Sequence, residues 1–291
     1  MKKLFGGLNI TWKALIIWAV AAGVYTGVIA LIPALLETSF HDIAVSFEWW
    51  ILFGIIIITN SKTPIESALK CFVFFLISQP LVYLVQVPFN RMGWGIFVYY
   101  PAWFRWTLLT PVMGYIGYYM RLEKWWGLFI LGPILVFLAS HFLGFAGEAR
   151  SFFPNHLLSA IFTAGSMIVY SLFIFEKKSL KMACLGLSLV LLLVTGYLAI
   201  AYQNKYETYI LSSHGQYDIE FDDTWTVEIS DPKYGTLSII YMDSIEDFMI
   251  KAEFTKTGDT QFTLRSPEGE SFVFNLTVYR NSYDVELASG N

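Results

Sequence analysis

Two hydrophobic rhythms divide the chain near residue 203. Before it, apolar residues come in long uninterrupted runs; after it, they alternate with polar ones. A run of roughly 18–23 apolar residues crosses about 30 Å of hydrocarbon at 1.5 Å per residue. Seven such runs can be placed, at 14–36, 43–60, 68–89, 101–120, 125–146, 154–175 and 182–202. A linker over 203–214 follows. From 215 to 291, Tyr217/Ile219/Phe221, Trp225/Val227/Ile229, Leu237/Ile239/Tyr241, Phe248/Ile250/Ala252/Phe254, Phe262/Leu264, Phe272/Phe274/Leu276/Val278 and Tyr283/Val285/Leu287 each point one way, with polar residues between them. That two-residue period predicts strands with one buried face. Turn-forming residues separate the runs, among them Asp231-Pro232, Thr257-Gly258-Asp259 and Ser266-Pro267-Glu268-Gly269. The fold class predicted is therefore a polytopic α-helical membrane domain over 1–202 and a C-terminal all-β immunoglobulin-like sandwich over 215–291.

Loop charge orients the helices, because Lys and Arg accumulate in short cytoplasmic loops. Lys2, Lys3, Lys13, Lys62, Lys70, Arg121, Lys124, Lys177, Lys178 and Lys181 share one side; Arg91, Arg105 and Arg150 lie on the other. Ten against three puts the N-terminus inside and, after an odd number of crossings, the β domain outside the cell membrane. Trp and Tyr at Trp49, Trp50, Trp94, Tyr99, Tyr100, Trp103 and Trp106 suit an outer interfacial belt, and Tyr118, Tyr119, Trp125 and Trp126 an inner one. The segment 90–100, rich in Gly and aromatics, is predicted to lie along the outer interface. Met-Lys-Lys followed by the apolar run from Ala14 looks like a signal peptide. That run is about a full span long and lacks a clear cleavage site, so it is read as an uncleaved first helix.

Composition agrees with a bilayer as second solvent: 56% hydrophobic residues, 14% charged residues and a mean hydropathy of +0.54 are too apolar for one water-soluble globule. The net charge of −4 conceals +6 up to residue 202 and −10 beyond it. Dense basic clusters are absent and the β domain is acidic, so nucleic acid is not an expected partner. Cys71 and Cys184, the two cysteines, fall near cytoplasmic ends, where a disulfide is not expected. The β domain has no cysteine and must rely on its own core.

Gly258-Asp259-Thr260-Gln261-Phe262-Thr263-Leu264, then Ser266-Pro267-Glu268-Gly269 and Ser271-Phe272-Val273-Phe274-Asn275-Leu276-Thr277-Val278, resembles the closing strands of bacterial immunoglobulin-like modules. The resemblance covers about a fifth of the chain. It implies a fold and an extracytoplasmic setting rather than a ligand.

Candidate chemistry gathers at the outer ends of the helices, where Glu37, His41, Asp42, Glu48, Arg105, His141, Glu148, Arg150 and His156 fall. His, Asp and Glu bind a divalent ion when three or four converge, and Arg with His can hold an anionic headgroup. No His-Glu-x-x-His or other local spacing encodes either, and every helix must end in something that tolerates water. Glu48 and His141 stand out because they lie just inside the apolar boundary, where an ionisable group needs a partner; Glu48–Arg105 and Glu48–His141 are the contacts expected. The binding residues predicted are Glu48, Arg105, His141, Glu148 and His156.

Deeper, uncharged polar residues repeat at helical spacing: Gln79, Tyr83 and Gln86, and then Ser159, Thr163, Ser166 and Tyr170. Such stripes face either a neighbouring helix, through interhelical hydrogen bonds, or a polar cavity. Gly23/Gly27 and Thr107/Thr110/Gly114/Gly117 read as small-residue seams. Gln79-Pro80 places an amide beside a carbonyl freed by proline, which makes either a ligand contact or a self-patched kink. Gly165-Ser166 lacks the Gly-x-Ser-Gly context of a serine nucleophile, and neither Cys has a His nearby in sequence. In the β domain, Asp218, Glu220, Asp222, Asp223, Asp231, Asp243, Glu246 and Asp247 either supply a Ca²⁺ site or form a soluble acidic surface; no twelve-residue calcium loop is present.

No cofactor and no metal follow from this sequence. The function expected is a non-enzymatic module that displays its β domain to an envelope protein or cell-surface ligand. A membrane enzyme or lipid-handling protein with a polar, metal-capable site at the outer leaflet is the alternative, and a small-solute channel or transporter the second. A solidly packed helical part would favour the anchor; a cavity open to the outer leaflet would favour lipid handling.

Overall fold

The computed structural model describes residues 4–36, 38–151, 153–201, 206–217, 219–243, 245–279 and 282–290. The chain divides into a helical unit, residues 1–149 and 153–199, and a β unit, residues 200–291 together with 150–152. Among the described residues the helical unit contains α1 (Trp12–Ile29), α2 (Ser39–Val45), α3 (Phe47–Thr59), α4 (Pro64–Gln86), α5 (Tyr100–Gly117), α6 (Trp125–Ser151), α7 (Leu157–Phe173) and α8 (Lys178–Ala201). A 3-10 turn, Gly93–Tyr99, precedes α5 and leaves Trp94, Val98 and Tyr99 exposed.

Local chemistry sets the boundaries. Thr11 caps α1 by accepting the Ala14 N–H at 3.2 Å, and Thr63 caps α4 in the same way through Glu66 N–H at 3.1 Å. The first helix ends at Ile29 rather than near 36, because Pro33 holds Ile32 in an extended conformation and opens a separate turn. Conversely, α6 continues past the expected 146 to Ser151.

Helices α1, α4, α6 and α8 are each long and apolar enough to cross a membrane, and α2 with α3, bent by 48° between them, make a fifth span if taken together. Sequence patterning predicted seven. The shortfall lies in α7, which has 17 residues, and in α5, where Arg105, Thr107, Thr110 and several Trp and Tyr dilute an 18-residue helix. Exposed positions on these helices are themselves apolar, including Ile17, Leu109, Val112, Leu193 and Ile200. Water-soluble surfaces rarely present that much contiguous hydrocarbon, which points to a membrane protein.

Helix α4 packs along both α1 and α5. Glycine permits the first approach: a Cβ on Gly23 would stand 2.5 Å from the Ser78 carbonyl oxygen, and one on Gly27 2.8 Å from that of Val82. On the other side Ser67 donates its hydroxyl to the Gly114 carbonyl at 2.7 Å. The segment before α1 is pinned by Asn60, which accepts from Leu8 N–H at 2.6 Å and donates to the Leu4 carbonyl at 2.6 Å. Buried Lys70 also reaches it, donating to the Ile10 carbonyl at 2.6 Å while pairing with Glu66.

The β unit contains β1 (Tyr206–Ser212), β2 (Thr226–Ile229), β3 (Gly235–Met242), β4 (Asp247–Phe254), β5 (Gly258–Arg265), β6 (Ser271–Val278) and β7 (Tyr283–Gly290). They form two antiparallel sheets, ordered β1-β4-β3 and β2-β5-β6-β7. Ile250, Ala252 and Phe254 from one sheet and Phe262, Leu264, Phe274 and Leu276 from the other share a single core. The stretch expected to be a linker, 203–214, therefore contains a strand. Tyr217/Ile219/Phe221, expected as one, forms no strand among its described residues, yet Ile219 and Phe221 still bury in the core.

Asp247 ties β4 to the turn after β1. Its carboxylate accepts from the Ser212 hydroxyl, the His214 ring at 2.9 Å and the Phe248 N–H at 2.8 Å. Burial pushes this carboxyl up, but these hydrogen bonds outweigh it and hold the group at about 2, below its ordinary 3.8. A depressed carboxylate stabilises the fold fully above its unfolded pKa, and that contribution is lost as pH falls toward the folded value. Pepsin cleavage of the β unit is thus expected to rise steeply between pH 4 and pH 2. Asp247→Asn should already be cleaved faster at pH 4, with a loss on the order of 2 kcal/mol for charge-assisted bonds. Equal cleavage of the two proteins across this range would refute the role given to Asp247. Other acidic side chains serve their own turns: Asp222 accepts from Thr224 N–H at 2.9 Å, and Asp231 pairs with Lys233. Asp218 and Glu37 lie outside the described residues.

Candidate functional site

The break between α2 and α3 places two polar clusters. Ser46 is extended between the helices, so α3 starts afresh with Glu48 in its first turn, where a carboxylate suits the positive end of the helix dipole. The Glu48 side chain is 1% exposed, and His141 of α6 brings Nδ1 to 2.9 Å from Oε1. The angle does not make a hydrogen bond, so both Glu48 oxygens lack one. Tyr170 of α7, fully buried and close enough to feel the Glu48 charge, also keeps its hydroxyl without a hydrogen bond of good geometry. Of the two partners that depth suggested for Glu48, His141 is in contact. Arg105 is exposed and makes no ion pair among the described residues.

Before the break, Asp42 of α2 accepts from the Ser159 hydroxyl at 2.7 Å and sits 2.8 Å from His156 Nδ1. Glu148 Oε2 stands 3.7 Å from the same nitrogen. Ser39 N–H and Ser39 hydroxyl both donate to the Asn155 carbonyl, at 2.7 and 2.5 Å. These bonds clamp α2 onto the first turn of α7. Two carboxylates converging on one ring nitrogen form an ion-pair arrangement, whereas a metal needs separate donor atoms aimed at one point. Among the described residues no three His, Cys, Asp or Glu group in a way that could hold a metal. The cluster is not a nucleophilic triad either, because Ser159 donates to the carboxylate rather than to the imidazole.

Beside the Glu48–His141 pair, an elongated cavity of about 420 Å³ runs between α3, α4, α5 and α6. Its walls are almost wholly apolar: Trp50, Ile51, Ile55 and Ile58 from α3, Phe75 from α4, Trp103, Trp106, Val112 and Met113 from α5, and Ile130, Ile134 and Phe137 from α6. Phe47 joins it to the polar pair, since its ring lies 5.1 Å from Trp103, 5.4 Å from Phe137 and 6.0 Å from His141. Gly54 lines the slot and a Cβ there would meet nothing within 4 Å. Thr107, Thr110, Gly114 and Gly117 serve twice, lining the slot while Gly114 packs on α4 and Gly117 on Ile58.

The polar stripes take different parts. Gln79 is 4% exposed, lines the slot and leaves Nε2 without a partner. Tyr83 sets its ring tilted 5.8 Å from Phe97 and edge-on 5.9 Å from Tyr100, while Gln86 donates to its own helix at Val82. Thr163 likewise bonds back to Ser159 at 2.9 Å, and Ser166 is buried one turn before Tyr170. Arg150 donates to the Ile200 carbonyl; His41 is half-buried and makes no ion pair among the described residues. Sequence reasoning missed Ser39, Phe47 and Gly54. The signal for the last was a lone glycine in the otherwise bulky apolar run of α3. No protein-family model, no curated protein and no solved structure matches this chain.

Proposed function

We propose that this is a lipid-handling protein of the cell membrane whose helical unit takes a lipid chain into the slot between α3, α4, α5 and α6. The slot carries the proposal. It is apolar, lies among helices of bilayer-spanning length, and has the size of a small-ligand site. A helix bundle acting only as an anchor has no need of it. The two polar clusters then serve to hold the bent α2–α3 pair in shape at the slot's Trp103 end.

The proposal includes seven crossings, with a cytoplasmic N-terminus and the β unit outside. Loop basicity supports the orientation. Helix α7, at 17 residues, stands at the lower limit of a span, and α5 packs along α4. Seven antiparallel strands split three and four around one core support an immunoglobulin-like architecture for the β unit. The pairing is its own, since β3 joins β4, where the immunoglobulin order sets the third strand beside the sixth. A separate hydrophobic core also favours a second role, in which the β unit is displayed to an envelope partner.

Gly54→Phe tests the lipid proposal, because a Cβ there meets nothing within 4 Å and the new ring would occupy the slot that Gly54 lines. Protein purified in detergent is expected to carry lipid detectable by mass spectrometry, and the variant to fold normally but carry far less. Equal lipid on both proteins would count against the slot as a binding site.

A further inference from the structure

Gln79 is the one slot-lining residue among those described with a buried polar side-chain atom lacking a hydrogen-bond partner. The slot-lining threonines of α5 are satisfied: Thr107 donates to the Trp103 carbonyl at 3.1 Å and Thr110 to that of Thr107 at 2.7 Å. A buried donor left unpaired costs about 1–3 kcal/mol, so the amide is either a standing penalty or is paired by whatever fills the slot.

Its depth says where that ligand's acceptor must lie. Ser67 bonds to Gly114, and the rings of Tyr83 and Tyr100 meet at 5.9 Å. Helices α4 and α5 are therefore antiparallel, and Gln79 is level with the first turn of α5, near Trp103. From Trp103 to Gly117 the apolar wall runs on for roughly 21 Å at 1.5 Å per residue. One hydrogen-bond donor thus sits at one end of a long hydrocarbon channel, the end that loop charge assigns to the outer leaflet.

Resting on the lipid-handling function above, we infer that the slot's ligand is an ester-linked membrane glycerolipid. One acyl chain lies along α5, and its ester carbonyl accepts a hydrogen bond from Gln79 Nε2. An ether-linked lipid offers the same hydrocarbon without the carbonyl, so the two chemistries separate the polar contact from apolar filling.

The test incubates the full-length protein, in dodecyl maltoside, with an equimolar mixture of a diacyl phosphatidylglycerol and its dialkyl ether analogue. Lipid retained through gel filtration is quantified by mass spectrometry. The wild-type protein is expected to retain the ester lipid about fivefold over the ether lipid, equivalent to about 1 kcal/mol. Gln79→Met should bind both at the ether level. Equal retention of the two lipids by the wild type, with Gly54→Phe still clearing both, overturns the carbonyl contact while leaving the slot occupied by lipid. Undiminished retention by Gly54→Phe overturns the slot itself, and the inference with it.

Discussion

Gly23→Leu is expected to unfold the helical unit at a markedly lower temperature than the wild type, because α1 and α4 meet there backbone to backbone. A Cβ at position 23 would lie 2.5 Å from the Ser78 carbonyl oxygen, 2.9 Å from Leu81 Cβ and 3.1 Å from Ser78 Cα. Two of these atoms belong to the α4 main chain and the third is fixed to it, so relief requires moving a whole helix rather than turning a rotamer. Overpacking of this kind costs about 1–3 kcal/mol, and a rigid backbone neighbour places it at the upper end. For a unit of this size that corresponds to roughly 6–12 °C in Tm. Gly186→Leu is the control, since a Cβ there on α8 meets nothing within 4 Å. Heating detergent-solubilised protein and following the monodisperse peak by size-exclusion chromatography measures both. Melting of Gly23→Leu together with wild type would show that the close approach does not hold the helices.

The helices were legible because an apolar run writes its own length, but their ends were not: Pro33 was read through, so that the first helix was expected to run to 36, and the caps Thr11 and Thr63 went unread. What blurred the count was chemistry inside the runs. α5 is interrupted by Arg105 and two threonines, so its position was visible while its membrane character was diluted. In the β unit, strand β1 escaped notice for a geometric reason. Its register shifts between Tyr209 and Leu211, so the adjacent residues Ile210 and Leu211 are both buried and the two-residue alternation fails where it would have been read. Tyr217/Ile219/Phe221 gives the opposite case, an alternation whose last two members reach the core without a strand.

The candidate site was legible residue by residue and not as an arrangement. Depth singled out Glu48 and His141, yet the choice between His141 and Arg105 depended on how α3, α5 and α6 pack. Asp42 and Ser159 belonged to different patterns in sequence, one at an outer helix end and one on a polar stripe, and only the clamp between α2 and α7 joins them. The slot was the least visible, because a void is a property of four helices far apart in the chain. From sequence Gln79 reads as either a packing or a cavity residue, and its unpartnered amide on the slot wall favours the second.

Removing His141 should harm the protein more than removing Glu48, although the two side chains form one pair. Glu48 is 1% exposed and His141 27% exposed, so the two partners left behind are not equivalent. In Glu48→Leu the remaining imidazole, 27% exposed, can reach solvent or headgroups. In His141→Leu the carboxylate stays enclosed beside the Tyr170 hydroxyl with no counter-charge, and breaking a buried pair in this way costs about 3–5 kcal/mol. The double variant Glu48→Leu/His141→Leu removes the lone charge and should recover most of that loss, giving a large coupling energy in the cycle. Unfolding of all four proteins in one detergent, followed by the loss of helical circular dichroism, supplies the four free energies. Costs that simply add, or a His141→Leu protein as stable as wild type, would show that the 2.9 Å contact does not hold the α3–α6 junction together.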